Sequence, residues 1–275
     1  MKYEFKYIVP VNQLEPFREA IRPYVEFDPY AASMKDHEYT VRSVYFDTSR
    51  FDYYFEKVDG YKVSKKIRIR GYNEKTGDDT VFMEIKRKFK EPIEKDRERL
   101  TFEVMKRLMA GEGSRAYGDV TDDHGVNGAG KFLFHVYRNN LKPVVLVIYE
   151  REAFFDRFKT DVRITIDKNL RSVAYPKVED LYSEDKVVPA MKSSFILEVK
   201  FKDQFPGWMR ISEYRAFPVK RLHSPDKPGS IAGLRDCHRP GVPVYIQRAQ
   251  LFDNLCEFAG FVINDHDAGD HGDWQ

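Results

Sequence analysis

The sequence predicts an α+β fold built around an antiparallel β-sheet, and three observations favour this class. Of the 275 residues, 42% are hydrophobic and 15% aromatic, which is enough for a sizeable core and excludes a disordered chain. Most apolar runs are short, rich in β-branched and aromatic residues, and bounded by turn residues, as strands are. Helical patterns are scattered among these runs, without the regular strand–helix alternation of a parallel sheet.

The N-terminal half carries most of the strand signals. The predicted strands are residues 3–10, 39–47, 61–72, 80–90 and 95–102, and the turn-rich segment 73–79 predicts a hairpin between the third and the fourth. Asn12 is the predicted N-cap of a helix that carries Leu14, Phe17 and Ile21 at near-helical spacing. A second short helix is predicted over residues 51–58.

The C-terminal half begins with a segment rich in glycine and aspartate, residues 111–130, which predicts a mobile loop. Helices are predicted near residues 131–140 and over 244–258, and strands over 144–155, 162–167 and 194–201. The last residues, 265–275, are acidic and lack apolar periodicity, which predicts a disordered tail. We therefore expect one domain over residues 1–264.

Several common classes of function find no support in the sequence. No apolar run approaches the roughly 18 residues of a membrane-spanning helix. The two cysteines, Cys237 and Cys256, lie outside any C-x-x-C motif, which favours reduced thiols in a cytoplasmic protein. The P-loop and dinucleotide-binding glycine motifs are both absent, as are the Ser and Cys nucleophile motifs. The net charge of +2 gives little support for binding nucleic acid, and we expect none.

Charged residues recur at every second position of the predicted strands, so they share one face of each strand. Three Glu-x-Lys units have this spacing: Glu4–Lys6, Glu84–Lys86 and Glu198–Lys200. Further basic residues that follow it, or that occupy other predicted strands, are Lys66, Arg68, Arg70, Lys95, Arg97, Arg99, Arg151 and Arg163.

One strand of this kind would be an ordinary solvent face, with its apolar alternates toward the core. The same basic bias on six or seven strands needs another explanation, because like charges on neighbouring strands repel. If the sheet closes with this face inward, a polyanion must offset the repulsion. A phosphate chain suits the role, since arginine binds phosphate bidentately and lysine acts as a point charge. The interspersed carboxylates would then be ligands of Mg²⁺ or Mn²⁺.

A set of motifs covering about residues 1–222 occurs in a defined order. These are YEFKY at 3–7, SVYFDT at 43–48, KIRIRGY at 66–72, FMEIKRK at 82–88, EKDR at 94–97, YEREAF at 149–154, VRITID at 162–167 and ILEVK at 196–200. The set resembles the VTC domain, the polyphosphate polymerase module of the triphosphate tunnel metalloenzyme superfamily. This resemblance implies an eight-stranded antiparallel β-barrel, or tunnel, with flanking helices. It also implies ATP as phosphoryl donor and Mn²⁺ or Mg²⁺ as cofactor.

The resemblance also implies roles for particular residues. The implied substrate-binding set is Lys6, Arg68, Arg70, Lys86, Lys95, Arg97, Arg151, Arg163, Lys200 and Lys220. The implied catalytic residues are Arg68, Arg70, Lys200 and Glu198, and the implied metal ligands are Glu198 and Glu4. Two departures from the superfamily pattern stand out. Lys2 replaces the first glutamate of E-x-E-x-K, and Val219-Lys220-Arg221, with Phe217 upstream, replaces a late S-K-Y or S-K-F segment.

Three hypotheses follow for the function. The first is polyphosphate synthesis from ATP, with ATP and inorganic polyphosphate as ligands. The second is a tunnel triphosphatase that hydrolyses ATP or tripolyphosphate, since water can replace the phosphate acceptor in the same site. The third is a non-catalytic module that binds polyphosphate or nucleotides. With no membrane segment expected in the chain, a membrane-embedded polymerase would require a separate membrane partner.

Overall fold

The computed structural model of the protein describes residues 3–59, 61, 63–77, 79–89, 93–112, 126–158, 161–202, 205–209 and 220–221. The strands are β1 (Tyr3–Pro10), β2 (Val25–Phe27), β3 (Glu38–Asp47), β4 (Val63–Tyr72), β5 (Thr80–Phe89), β6 (Ile93–Thr101), β7 (Lys142–Asp156), β8 (Arg163–Ala174), β9 (Val188–Pro189), β10 (Ser194–Phe201) and β11 (Lys220–Arg221). The helices are α1 (Leu14–Ile21), α2 (Pro29–Ser33), α3 (Asp52–Val58), α4 (Phe102–Met109) and α5 (Val126–Arg138). Short 3₁₀ turns span Val11–Gln13 and Val178–Tyr182.

All the described strands belong to one antiparallel sheet. Its order is β11-β1-β10-β8-β7-β3-β4-β5-β6, with β2 paired to β7 and β9 paired to β8. The predicted α+β antiparallel architecture is confirmed, and the eight long strands agree in number with the barrel that the resemblance implies. Within the described residues the ladder is not closed, since β6 and β11 stand at its two ends.

The sheet is strongly curled, so that strands far apart in its order face each other. Strands β1 and β5 are separated by most of the sheet. Even so, Glu4 on β1 raises the pKa of Lys86 on β5 and Lys6 on β1 lowers it, so these side chains lie close enough for their charges to interact. The sheet therefore has a concave inner face, across which side chains of opposite edges interact, and a convex outer face.

The convex face is apolar and covered by helices. On β4, Ile67 and Ile69 are fully buried in a cluster that includes Met105 of α4 and Phe132 of α5. A second cluster buries Phe17 and Ile21 of α1 against β1, β8 and β10. The alternation of a strand then sends the intervening residues, such as the basic residues of β4, to the concave side.

The concave face has an apolar portion of its own. Tyr45 of β3, Val147 and Tyr149 of β7 and Ile196 of β10 form a buried cluster there, which also includes Ala31 of α2. Burial on both sides agrees with the apolar run of β7 from Val144 to Tyr149 and with the nearly continuous burial of β3. The charged residues occupy the remainder of the concave face.

Two local predictions are wrong. Helix α1 begins at Leu14 after a 3₁₀ turn, so Asn12 is not its N-cap. Residues 126–130 belong to helix α5 rather than to a mobile loop, because this helix packs its apolar face on the sheet. Gly128 permits that packing, since a β-carbon there would lie 2.5 Å from Oε2 of Glu98. The predicted helix over 244–258 and the tail at 265–275 lie outside the described residues.

Helix α4 was not predicted from the sequence, which indicated a strand as far as Phe102. The hydroxyl of Thr101 accepts a hydrogen bond from the backbone N–H of Val104 at 3.3 Å, and this cap starts the helix. Met105 and Leu108 then follow on one face and are buried against the outer side of the sheet.

A buried carboxylate fixes the start of helix α3. Asp47 Oδ1 accepts backbone N–H bonds from Thr48 at 2.7 Å and Tyr53 at 3.0 Å, and Oδ2 accepts one from Tyr54 at 3.0 Å. The side chain is completely buried at the end of β3. Asp47 thus connects the helix directly to the strand that leads into it.

We predict that Asp47→Ala lowers the free energy of unfolding by about 2 kcal/mol or more, because buried backbone donors lose their acceptor. Urea denaturation measures this change. Glu19→Ala, at an exposed position of α1, is the control and should shift stability by no more than about 0.5 kcal/mol. Equal stabilities of the two variants would contradict this role for Asp47.

Candidate functional site

The strand registers bring the predicted charged residues together on the concave face. Lys6 pairs with Glu198, Glu4 with Lys200, and Lys200 with Arg163 across β1, β10 and β8. Arg68 pairs with Glu84, Glu84 with Arg97, and Lys86 with Lys95 across β4, β5 and β6. Cross-strand partners point to the same side of a sheet, so each of these rows lies on one face.

Glu198 is the centre of the first charged cluster. Its carboxylate lies 2.5 Å from Nζ of Lys6 and 2.5 Å from Nζ of Lys200, and its side chain is only 5% exposed. Glu4 pairs with the same two lysines, at 3.1 Å and 3.5 Å. Burial alone would raise the pKa of Glu198, but Lys6, Lys200 and Arg151 bring that pKa well below its usual range. Glu198 is therefore ionised and holds both lysines in place.

Glu84 organises a second cluster on the facing strands. It pairs with Nε of Arg68 at 2.6 Å, Nε of Arg97 at 3.2 Å and Nζ of Lys95 at 3.4 Å. Burial opposes ionisation, yet Arg68, Arg70 and Lys95 lower the pKa of Glu84 to about 2. The carboxylate of Glu84 therefore pairs with three cations. Each of these cations keeps N–H groups that can donate to a further anion.

Two polar residues that the sequence reasoning missed orient the central arginines. Tyr45 accepts a hydrogen bond at 3.0 Å from Nη1 of Arg68, and Ser43 accepts one at 3.0 Å from Nε of Arg70. Burial would raise the pKa of Tyr45, but Arg68 and Arg70 hold it below its usual value. Ser43 and Tyr45 alternate with Val44 and so share the inward face of β3. That spacing was the available signal, although neither residue was assigned a role in the site from the sequence.

The remaining arginines of the predicted set are also held by carboxylates. Arg151 binds Asp167 through two hydrogen bonds of 2.6 Å and 2.7 Å. Arg163 binds Asp28 at 3.0 Å, and Asp28 also caps helix α2 by accepting from Ala31 N–H at 2.7 Å. These pairings fix the positions of the guanidinium groups while leaving other N–H groups for ligand.

Two lysines of the concave face, Lys66 on β4 and Lys86 on β5, lie close to other cations. Burial and the charges of Lys57, Lys6, Arg68 and Lys86 place the pKa of Lys66 well below its usual value of 10.5. Burial also lowers the pKa of Lys86, with Lys200, Lys6 and Arg68 acting in the same direction and Glu4 opposing them. The surroundings of Lys66 and Lys86 therefore favour the approach of an anion.

The structure gathers nine of the ten predicted substrate-binding residues on the concave face. They are Lys6, Arg68, Arg70, Lys86, Lys95, Arg97, Arg151, Arg163 and Lys200. For the tenth, Lys220, the structure places only the backbone, in β11 opposite Ile8, and its side chain lies outside the described residues.

Glu4 and Glu198 are the candidate ligands for a divalent metal. In the described ranges, no group of three or more His, Cys, Asp or Glu side chains is placed to hold an ion. Glu4 and Glu198 share two lysines, and the charge of Glu198 acts on the pKa of Glu4. Mg²⁺ is commonly bound through one or two carboxylates with substrate phosphates and water. Glu4 and Glu198 therefore fit a metal ion that is also bound by substrate phosphates, but not one that is bound by protein side chains alone.

A pH effect follows from the environment of Lys66. Above its lowered pKa and below 10.5, Lys66 is neutral in the free protein and takes up a proton when a phosphate chain binds beside it. We predict proton uptake on binding tripolyphosphate at alkaline pH, and an affinity that falls as pH rises through this range. Calorimetry in two buffers with different ionisation enthalpies measures the uptake.

Lys66→Met should reduce this proton uptake. Lys65→Met is the matched control, because Lys65 occupies the neighbouring position on β4 and approaches the ring of Tyr53 on the other side of the strand. Uptake that is unchanged in Lys66→Met would contradict the assignment.

None of the described helices is long and apolar enough to cross a bilayer. Among curated proteins, none matches the sequence.

Three solved structures illustrate the structural likeness, all with low sequence identity. A proposed adenylate cyclase from Bacillus halodurans is 13% identical with a TM-score of 0.39, covering 74% of this chain and 82% of its own. The PH1819 protein from Pyrococcus horikoshii is 17% identical with a TM-score of 0.34, over 77% and 85%. A proposed adenylyl cyclase from Hippeastrum, with a dominant triphosphatase activity, is 13% identical with a TM-score of 0.36, over 77% and 83%.

The family comparison covers most of the chain. The VTC domain matches residues 1–215, which include every described strand except β11. On this match, the protein belongs to the VTC domain family.

Proposed function

We propose that the protein transfers phosphoryl groups from ATP to the end of a polyphosphate chain bound along its concave face. The observation that carries the proposal is the excess of cations on that face. The nine cations gathered there are accompanied by five carboxylates, Glu4, Asp28, Glu84, Asp167 and Glu198. Net positive charge is thus spread along the face, which suits a polyanion such as a phosphate chain.

Membership of the VTC domain family supports an enzyme that acts on triphosphates. Synthesis of polyphosphate is the finer proposal, and the distribution of the cations supports it. They lie on both sides of the concave face, on β1, β7, β8 and β10 and on β4, β5 and β6. A phosphate chain between these strands can therefore be neutralised from several directions.

Phosphoryl transfer requires alignment of the reacting groups and neutralisation of the charge that develops on them. Arg68 and Arg70 present planar guanidinium groups from adjacent inward positions of β4, and Tyr45 and Ser43 hold them before substrate arrives. This preorganisation reduces the cost of ordering the site during the reaction. A divalent ion bound by Glu198 and Glu4 together with phosphate oxygens would neutralise further charge on the phosphates.

Lys6 and Lys200 can exchange partners when substrate binds. In the free protein they neutralise Glu198 at 2.5 Å, and a phosphate group close to them would compete for the same ammonium groups. This exchange would release carboxylate oxygens that a divalent ion can then bind. Metal and phosphate should accordingly bind together.

We predict that Glu198→Gln lowers turnover about 100-fold or more, by analogy with the loss of a key electrostatic group. Tripolyphosphate binding should persist or strengthen, because Lys6 and Lys200 lose their competing carboxylate. Steady-state rates with Mn²⁺ and calorimetric titration with tripolyphosphate measure the two effects. Unchanged metal-dependent turnover would remove Glu198 from the site.

The test of polymerisation is incubation with ATP and Mn²⁺, followed by separation of the products by chain length. We expect products longer than three phosphates. We also expect inorganic polyphosphate to compete with ATP, more strongly as its chain lengthens and less strongly as ionic strength rises. Arg68→Ala should weaken this competition, whereas Arg50→Ala should not, because Arg50 is 85% exposed.

Other outcomes would identify the alternatives. Release of phosphate without longer chains, and equal affinity for tripolyphosphate and longer chains, would favour a triphosphatase. Binding of the same ligands with no metal-dependent product would favour a non-catalytic binding module. Each result contradicts the proposal in a different way.

A further inference from the structure

A group of aromatic rings lies at one end of the concave face. Tyr72 of β4 is 5.9 Å from Phe82 of β5, 6.1 Å from Tyr30 of α2 and 6.0 Å from Tyr39 of β3, all between ring centroids. The rings of Tyr30 and Tyr39 are 4.8 Å apart. Tyr30 is 43% exposed, and Tyr72 and Phe82 are half-buried, so part of this surface is accessible to solvent. We call Tyr30, Tyr72 and Phe82 the aromatic mouth.

The aromatic mouth continues the row of phosphate-binding candidates. Tyr72 follows Arg70 by two positions on β4, and Phe82 precedes Glu84 by two positions on β5, so both share the inward face. Two residues of a strand span about 6.6 Å. The guanidinium of Arg97 also lies 3.6 Å from the centre of the Phe82 ring. Cationic and aromatic surfaces are therefore contiguous here.

We propose that the aromatic mouth binds the base of the nucleoside triphosphate by stacking while Arg68 and Arg70 hold its phosphates. This inference rests on the proposed function, and it specifies how the nucleoside triphosphate is oriented in the site. The base would lie at the aromatic end, and the phosphates would extend toward the lysines around Lys66 and Lys86. A ligand with a flat apolar part joined to a polyanion matches the adjoining surfaces in both chemistry and order.

The mouth should discriminate little between bases. Asn73 follows Tyr72 in the chain, and its amide is already engaged: Oδ1 accepts from Thr40 N–H at 3.1 Å, and Nδ2 donates to the Tyr30 hydroxyl at 3.0 Å. Stacking alone tolerates every base, because each base has a flat π-face. ATP, GTP and CTP should therefore bind with similar affinity.

The test compares a ligand that has a base with one that lacks it. Tyr72→Leu should weaken ATP binding about tenfold and leave tripolyphosphate binding within about twofold, since stacking contributes only to the first. Tyr72→Phe keeps the ring and should restore ATP affinity. Tyr137→Leu is the control, because Tyr137 is a 59% exposed tyrosine on α5, a helix of the convex side.

Tyr72→Trp gives a second readout that needs no turnover. ATP should quench the fluorescence of the new indole by stacking, and tripolyphosphate should not. Equal losses of ATP and tripolyphosphate affinity in folded Tyr72→Leu, or unchanged ATP affinity with no quenching in Tyr72→Trp, would overturn the inference. If the unmodified protein binds neither ATP nor tripolyphosphate, the proposed function itself fails. This result differs from the two outcomes above, which overturn only the inference about the base.

Discussion

Charge compensation on a concave surface is the constraint on which this structure depends. Burial, together with cations brought close from both sides of the curled sheet, lowers the pKa values of Lys66 and Lys86. Without internal partners their mutual repulsion would oppose the curvature. Glu198 and Glu84 meet this requirement by each binding more than one cation. The apolar clusters on the convex side then supply the burial that stabilises the fold.

The division between the two faces follows from the two-residue period of a strand. Ile67 and Ile69 pack under the helices while Arg68 and Arg70 point to the concave side, so the same stretch of β4 supplies both core and site. A shift of one residue in register would exchange these faces. The buried isoleucines therefore also determine where the arginines point, which links the stability of the core to the geometry of the site.

This period explains why much of the structure could be predicted from the sequence. The Glu-x-Lys spacing correctly indicated that Glu4 and Lys6 share a face, and the long strands were recognised from their composition. Asp28 could not be foreseen as the partner of Arg163, because the two are 135 positions apart and only the fold brings them together. Nor does spacing reveal that Glu198 binds two lysines, since alternation defines a face and not side-chain pairing. Helix α4 was missed because Thr101 both ends a strand and caps a helix.

If a phosphate chain moves along the concave face, as the proposed function requires, the lysines shared by Glu198 and Glu4 affect the rate of that movement. A row of unpaired cations would hold each phosphate so firmly that every advance of the chain would face a high barrier. Because Lys6 and Lys200 have carboxylates within 2.5 Å to 3.5 Å, they can return to an internal partner as each phosphate departs. Such alternation would make the free energies of successive positions of the chain more nearly equal. The carboxylates would then speed the movement of the chain and weaken its binding at any one position.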